Sequence, residues 1–263
     1  MKLTSKSAIA LLVLAASTAV FAEEKAPEST LSYNIGAVSD YRFRGVTQTN
    51  YGGAVQGGVD YAHASGFYIG TWASNVSWVK QVNGASDGTY ELDIYGGYKG
   101  ELQPGLAYDV GYITYMYPGN NSGADGTQGA GLYSNATTKE FYGALTYGVA
   151  TLKYSQSLGD FLGNINSNGS RYLDLSATFD MGNGYALTPH IGRQTIPNQA
   201  GDVANYTDLS LTLVKDLGDG LTVSAAYVAT NADKDFYVNQ GTPSGDGKYI
   251  AKNGALVGVK YAF

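Results

Sequence analysis

Three charged residues alternate near the start of the chain: Asp40, Arg42 and Arg44, with Tyr41 and Phe43 between them. Residues two apart on a β-strand share a face. The spacing therefore predicts a first strand with one carboxylate and two guanidinium groups on its inner side and the two aromatics on its outer side. Two readings follow. Charges inside a confined passage set which ions pass, so the arginines would contact anions or narrow a constriction. Alternatively they pair with Asp40, and with Asp60 on the neighbouring strand, and tie strands together. Gln56 shares the parity of Asp60 and belongs to the same network. Later strands repeat carboxylates on their polar faces, at Glu91, Asp93, Asp109, Glu140, Asp174 and Asp208, with Lys99, Lys153, Lys252 and Lys260 as cations. The pore-lining or constriction candidates are Asp40, Arg42, Arg44, Asp60, Glu91, Asp93, Asp109, Asp174 and Asp208. Together they predict a mixed interior with a slight acidic excess.

Other chemistries find less support. The histidines are His63, beside a short turn, and His190, on an inward parity. A hydrolase would need serine, histidine and an orienting polar group within reach, and no Ser/His spacing here suggests one. Cysteine is absent and histidines do not cluster, so neither a disulfide framework nor a zinc site is expected. Asp125, Asp233 and Asp235 would meet calcium only as isolated loop acids, which are usually just solvated. No phosphate-cradling Gly-Lys-Ser/Thr element occurs. The expectation is a protein without catalytic residues, metal or cofactor. A net charge of −6 and the lack of basic stripes argue against a nucleic-acid partner.

The elements that must hold these residues read as strands throughout. Leu173, Leu175, Ala177, Phe179 and Met181 oppose Asp174, Ser176 and Thr178; Leu209, Leu211 and Leu213 oppose Asp208, Ser210 and Thr212. Leu92, Ile94 and Tyr98 oppose Glu91, Asp93, Tyr95 and Lys99. This is the period-2 pattern of strands with one apolar face. The faces of the third strand, Phe67 to Trp78, stay unassigned. Five short Gly-containing connections, at residues 64–66, 103–105, 148–150, 182–184 and 218–220, alternate with six long ones near 45–53, 78–88, 118–136, 159–169, 197–204 and 232–248. Twelve strands with short turns on one side and long loops on the other predict an all-β antiparallel transmembrane barrel over residues 30–263, with periplasmic turns and extracellular loops. A soluble β-sandwich or a lipocalin-like barrel would also alternate, but neither has this rhythm.

The ends fit the same picture. Residues 1–22, with Lys2, Lys6, an apolar run from Ala8 to Ala16, and small residues at Val20 and Ala22, read as a secretory signal peptide. Residues 23–29 read as a disordered entry segment. The last strand alternates Ala255, Val257, Val259, Tyr261 and Phe263 against Leu256, Gly258, Lys260 and Ala262. Most outer-membrane barrels finish on such an aromatic, so Phe263 is expected to serve as the assembly signal. The implied partners are outer-membrane lipid, the barrel-assembly machinery and small solutes. The 36 glycines and 23 tyrosines suit close strand packing and two aromatic belts at membrane surfaces.

Ser39-Asp40-Tyr41-Arg42-Phe43-Arg44-Gly45-Val46-Thr47-Gln48-Thr49 resembles the opening block of the TorF porin family, with Thr47 where serine is usual. Ala54-Val55-Gln56-Gly57-Gly58-Val59-Asp60-Tyr61 and Gly66-Phe67-Tyr68-Ile69-Gly70-Thr71-Trp72-Ala73-Ser74-Asn75-Val76 resemble its next two blocks. The resemblance is dense over the first third of the chain and elsewhere extends to layout and the final aromatic. It implies a channel in the bacterial outer membrane and leaves the solute open. A twelve-stranded barrel has a backbone diameter of roughly 24 Å, and inward side chains reduce any passage to about 10 Å or less. That size suits ions and small polar solutes. A non-conducting barrel with a structural, adhesive or receptor role is the alternative, and an outer-membrane hydrolase is a distant third.

Overall fold

The computed structural model describes residues 27–239 and 246–263. The proposed signal peptide, and residues 23–26 of the expected entry segment, lie outside them. Twelve strands form one closed antiparallel barrel: β1 (Ser29–Val38), β2 (Ala54–His63), β3 (Phe67–Asn75), β4 (Tyr90–Gln103), β5 (Leu106–Met116), β6 (Thr138–Tyr147), β7 (Ala150–Ser157), β8 (Arg171–Ala177, continuing as Phe179–Gly182), β9 (Tyr185–Thr195), β10 (Tyr206–Gly218), β11 (Leu221–Thr230) and β12 (Gly254–Ala262). Each strand pairs with its sequence neighbour. The seam closes where β12 pairs with β1, from Val38↔Gly258 to Asn34↔Ala262. Tyr33 and Phe263 exchange both backbone hydrogen bonds, at 2.9 and 3.0 Å, and their rings stack at 5.6 Å. Closure gives every strand a partner on both sides, so the barrel has no edge strand.

Alternation decides which side chains face in. Leu31, Ile35, Ile69, Ile94, Leu173, Leu211 and Val257 all point outward and are exposed, part of an apolar belt around the barrel. β3, ambiguous in sequence, sends Tyr68, Gly70, Trp72 and Ser74 inward and Phe67 and Ile69 outward. Five tight turns join the strands at one end, and six long loops leave the other. The only α-helix among the described residues is one turn, α1 (Trp78–Gln81), and no described helix is long and apolar enough to cross a membrane. Side chains buried at the long-loop end form small apolar cores, one around Val76, Trp78, Val79, Tyr115 and Tyr117. These cores hold the loops against the barrel mouth.

The structure corrects the first strand. β1 ends at Val38, so Asp40, Arg42 and Arg44 do not lie on it and do not share one inward strand face. They belong to the first long loop, which begins at residue 39 rather than near 45 and folds into the barrel mouth. Tyr41 and Phe43 do not face outward. Tyr41 packs edge-on against the inward Trp72 at 5.4 Å, and Phe43 against Tyr115 at 5.3 Å. Apolar parity continues past Val38 because the loop buries aromatics as well, against the inner wall instead of an outer solvent.

Candidate functional site

The loop that enters the barrel is organised by Asp40. Its carboxylate accepts hydrogen bonds from Thr47 Oγ1 at 2.5 Å and from Thr49 Oγ1 at 3.4 Å, and pairs with Arg42 Nε at 2.5 Å. These contacts fold residues 40–49 back on themselves. A two-residue ladder pairs Arg42 with Thr47 and Phe43 with Val46. Its turn is Arg44-Gly45, with φ of +47° and +83°, the two left-handed positions of a type I′ hairpin. A Cβ at Gly45 would lie 2.6 Å from Thr230 Cγ2 and 2.8 Å from Asp208 Cβ, so the barrel wall leaves room only for glycine.

Arg44 reaches across the lumen from this turn. It pairs with Glu140 on β6 at 2.6 Å and donates to Gln194 Oε1 on β9 at 2.9 Å. Its guanidinium lies over the rings of Tyr172, Phe43 and Phe161, at 4.4, 4.7 and 5.4 Å. Burial alone would make this group easier to deprotonate; the charge and hydrogen bond of Glu140, together with Tyr115 and Tyr172, outweigh it, and the net pKa shift is upward. Glu140 and Gln194 are 1% or less exposed, so the clamp is sealed from water. Arg42 is equally engaged: besides Asp40 it donates to the carbonyls of Gly45 and Lys252, at 2.9 and 3.0 Å, and lies over Tyr51 at 4.9 Å.

The barrel carboxylates are partnered mainly by tyrosine hydroxyls. Tyr95 donates to Asp60 at 2.5 Å, Tyr68 to Asp109 at 2.6 Å, Tyr172 to Asp208 at 2.9 Å, Tyr41 to Glu91 at 3.3 Å and Tyr115 to Glu140 at 3.4 Å. Tyr68 and Tyr142 also hydrogen-bond to each other. Burial, with Glu91 and Asp93 close by, pushes the Tyr41 hydroxyl pKa well up, so it remains a donor. Asp60 is therefore not a partner of Arg42 or Arg44, and Gln56 contacts Ser74 at 3.4 Å; the expected Asp40–Asp60 network does not form. Asp93 shares the inward face of β4 with Glu91, and Asp93 Oδ1, Glu91 Oε2, Asp109 Oδ2 and Glu140 Oε1 have no hydrogen-bond partner among the described residues. Asp174 pairs with His190, whose other ring nitrogen lies 3.6 Å from Asp208. Both nitrogens thus face carboxylates, and neither is hydrogen-bonded to a serine. No group of three or more metal-binding side chains occurs among the described residues.

Strand parity found these acids but not their partners. Several inward tyrosines lie across a glycine of the adjoining strand: Tyr68 over Gly97, Tyr142 over Gly111, Tyr172 over Gly192 and Tyr95 over Gly70. A side chain on any of these glycines would collide with the ring. The readable signal was a tyrosine on the polar parity beside a strand with glycine on its own polar parity.

The inner wall is consequently uneven. From β3 to β9 it is filled by tyrosines and carboxylates, with Tyr68, Glu91, Asp109, Glu140, Tyr142 and Tyr172 all buried. On β11, β12, β1 and β2 most inward positions are small, among them Ser224, Ala226, Gly258, Gly36 and Gly58, and these, with Asn34, Asp60 and Lys260, are only half-buried; Leu256, Val228 and Gln56 are the larger inward side chains there.

Solved porin structures share this architecture. KdgM porin in complex with disordered oligogalacturonate matches with a TM-score of 0.53 at 9% identity, over 89% of this chain and 99% of that one. NanC porin matches with a TM-score of 0.52 at 11% identity, over 88% of this chain and 99% of that one. At such identities the likeness concerns the fold. No curated protein matches the sequence. Residues 22–263 match the family described as "Bacterial protein of unknown function (Gcw_chp)", and the chain, a closed twelve-stranded barrel, belongs to that family.

Proposed function

We propose that this chain is a porin-like barrel of the bacterial outer membrane that passes ions and small polar solutes along one side of its lumen. The uneven inner wall carries this reading. Large side chains plug the β3–β9 half, whereas mostly small residues line the β11–β2 half and leave Asp60, Lys260 and Asn34 half-buried. The apolar belt is too continuous for an aqueous exterior and suits lipid. Carboxylates outnumber cations around the lumen, which favours cations and neutral solutes over anions. A cargo like the oligogalacturonate of the KdgM complex, itself polyanionic, fits poorly. Within this reading Asp60 is a pore-lining residue, Asp40, Arg42 and Arg44 shape a constriction at the mouth, and Glu91, Asp93, Asp109, Asp174 and Asp208 mostly support the wall. Export by a signal peptide and delivery through the barrel-assembly machinery, with Phe263 as recognition element, belong to the same proposal.

Planar-bilayer recording tests it. Ala226 faces the small-residue wall, and Ala225 faces outward. Ala226→Trp should reduce unitary conductance severalfold, Ala225→Trp should leave it unchanged, and Asp60→Asn should shift the reversal potential toward anions. The sealed Arg44–Glu140 clamp favours the second reading, a barrel that does not conduct and works through its loops. Absence of channels from correctly folded wild-type protein would establish that alternative.

A further inference from the structure

All six long loops contribute to the wall of one cavity of about 380 Å³ at the barrel mouth. The first loop supplies Phe43 and Val46, and the others supply Trp78, Leu132, Leu162, Ile196 and Tyr237 among their contributions. Among the described residues the lining contains no lysine, arginine, histidine, aspartate or glutamate, although the barrel beneath is rich in carboxylates. A loop core that served packing alone would be filled to interior density; this one keeps a space in the range of small-molecule sites.

We propose that this cavity binds an uncharged, largely apolar small molecule bearing a hydroxyl or similar donor. A charged ligand would lose its hydration without gaining a counter-charge. The polar lining narrows the choice further. Asn83, Asn164 and Gln199 donate their amide nitrogens to the backbone carbonyls of Leu162, Phe161 and Ile165, at 2.9, 2.8 and 3.2 Å. These side chains keep their carbonyl oxygens for a donor on the ligand, while Trp78, in the same lining, has a buried Nε1–H with no hydrogen-bond partner among the described residues and calls for an acceptor; a hydroxyl supplies both. Phe43 and Val46 flank the Arg44-Gly45 turn, so the ligand rests on the hairpin that enters the barrel. The site depends on loop geometry and not on whether the barrel conducts, so a failure of either idea leaves the other standing.

Methyl-resolved NMR of the folded protein in detergent tests this, with 2-naphthol as probe and 2-naphthoate as its charged counterpart. Saturable shifts are expected at Val46, Leu162, Ile196 and Ile250, distinct from the linear drift of belt methyls such as Leu211 and Val257, which report partitioning into the micelle. 2-Naphthoate should bind at least about tenfold more weakly. Leu162 has φ of +51°, a conformation that Asn and Asp tolerate, so Leu162→Asn and Leu162→Asp compare polarity with charge on one backbone. Leu162→Asp should weaken 2-naphthol at least about tenfold and Leu162→Asn less. Shifts confined to belt methyls, or equal binding of the two probes, would overturn the proposal, and the probe comparison needs no variant.

Discussion

Removing Arg44 is the most informative single perturbation. At 2.6 Å and an effective dielectric of about 20, attraction between Arg44 and Glu140 is about 6 kcal/mol. Dehydration of two sealed ions cancels much of that, so the net worth of the pair is small. Arg44→Gln is different, because it leaves Glu140 dehydrated beside no cation. Loss of one partner of a buried pair costs about 3–5 kcal/mol, and the lost contacts with three aromatic rings add about 1–2 kcal/mol. Glutamine does not relieve the left-handed backbone at this position, so no compensation comes from there. Arg44→Gln combined with Glu140→Gln removes both charges and should recover most of the pair's share. The measurement is urea unfolding of the refolded barrel, followed by tryptophan fluorescence and by the gel shift between boiled and unboiled samples. The clamp reasoning fails if the single variant unfolds within about 0.5 kcal/mol of wild type, or if the double variant is no more stable than the single.

Three further outcomes are expected. Gly45→Ala should displace the hairpin and destabilise by more than about 1 kcal/mol, because the backbone is left-handed and the new Cβ would strike Thr230 and Asp208; a normal urea midpoint would contradict the tight fit. Phe263→Ala should lower the amount of heat-modifiable barrel in the membrane fraction by loosening the stack on Tyr33 at the seam, and unchanged levels would show that the seam closes without it. Asp246 is nudged up by slight desolvation, yet hydrogen bonds from Lys248, Asn50 and Asn239 hold its carboxyl well below the usual aspartate range. A depressed carboxylate contributes stability above its unfolded pKa and loses it as pH falls, so carbon NMR should find Asp246 still ionised at about pH 4, where a free aspartate is half-protonated.

The parts of the fold that were legible in sequence are those governed by local chemistry. Turns such as Gly182-Asn183-Gly184 announce themselves because only left-handed residues close them, and strands such as β10 display their faces through strict alternation. Asp40 to Arg44 misled for the same reason. Alternation continues through them, and nothing local distinguishes a strand between lipid and lumen from a hairpin wedged between two parts of one inner wall. The Arg44-Gly45 turn was obscure because arginine is not a usual left-handed residue. The tyrosine count as a whole suggested membrane surfaces, but Tyr68, Tyr95, Tyr142 and Tyr172 point inward, and their partners are carboxylates and glycines on other strands, contacts that no single strand encodes. The mouth cavity depends on six loops meeting at once and left no trace in the sequence.

The reach of Arg44 also bears on how the molecule comes together. Its two polar partners lie 96 and 150 residues further along the chain, on β6 and β9, so the three groups meet only when the first loop and both of these strands are in place. The hairpin therefore cannot dock early. The charges are buried against one another only when the circle of strands is complete. The hairpin acts as a keystone set from within: it adds little to the growing sheet, but it crosses the finished cylinder and braces one wall against the other.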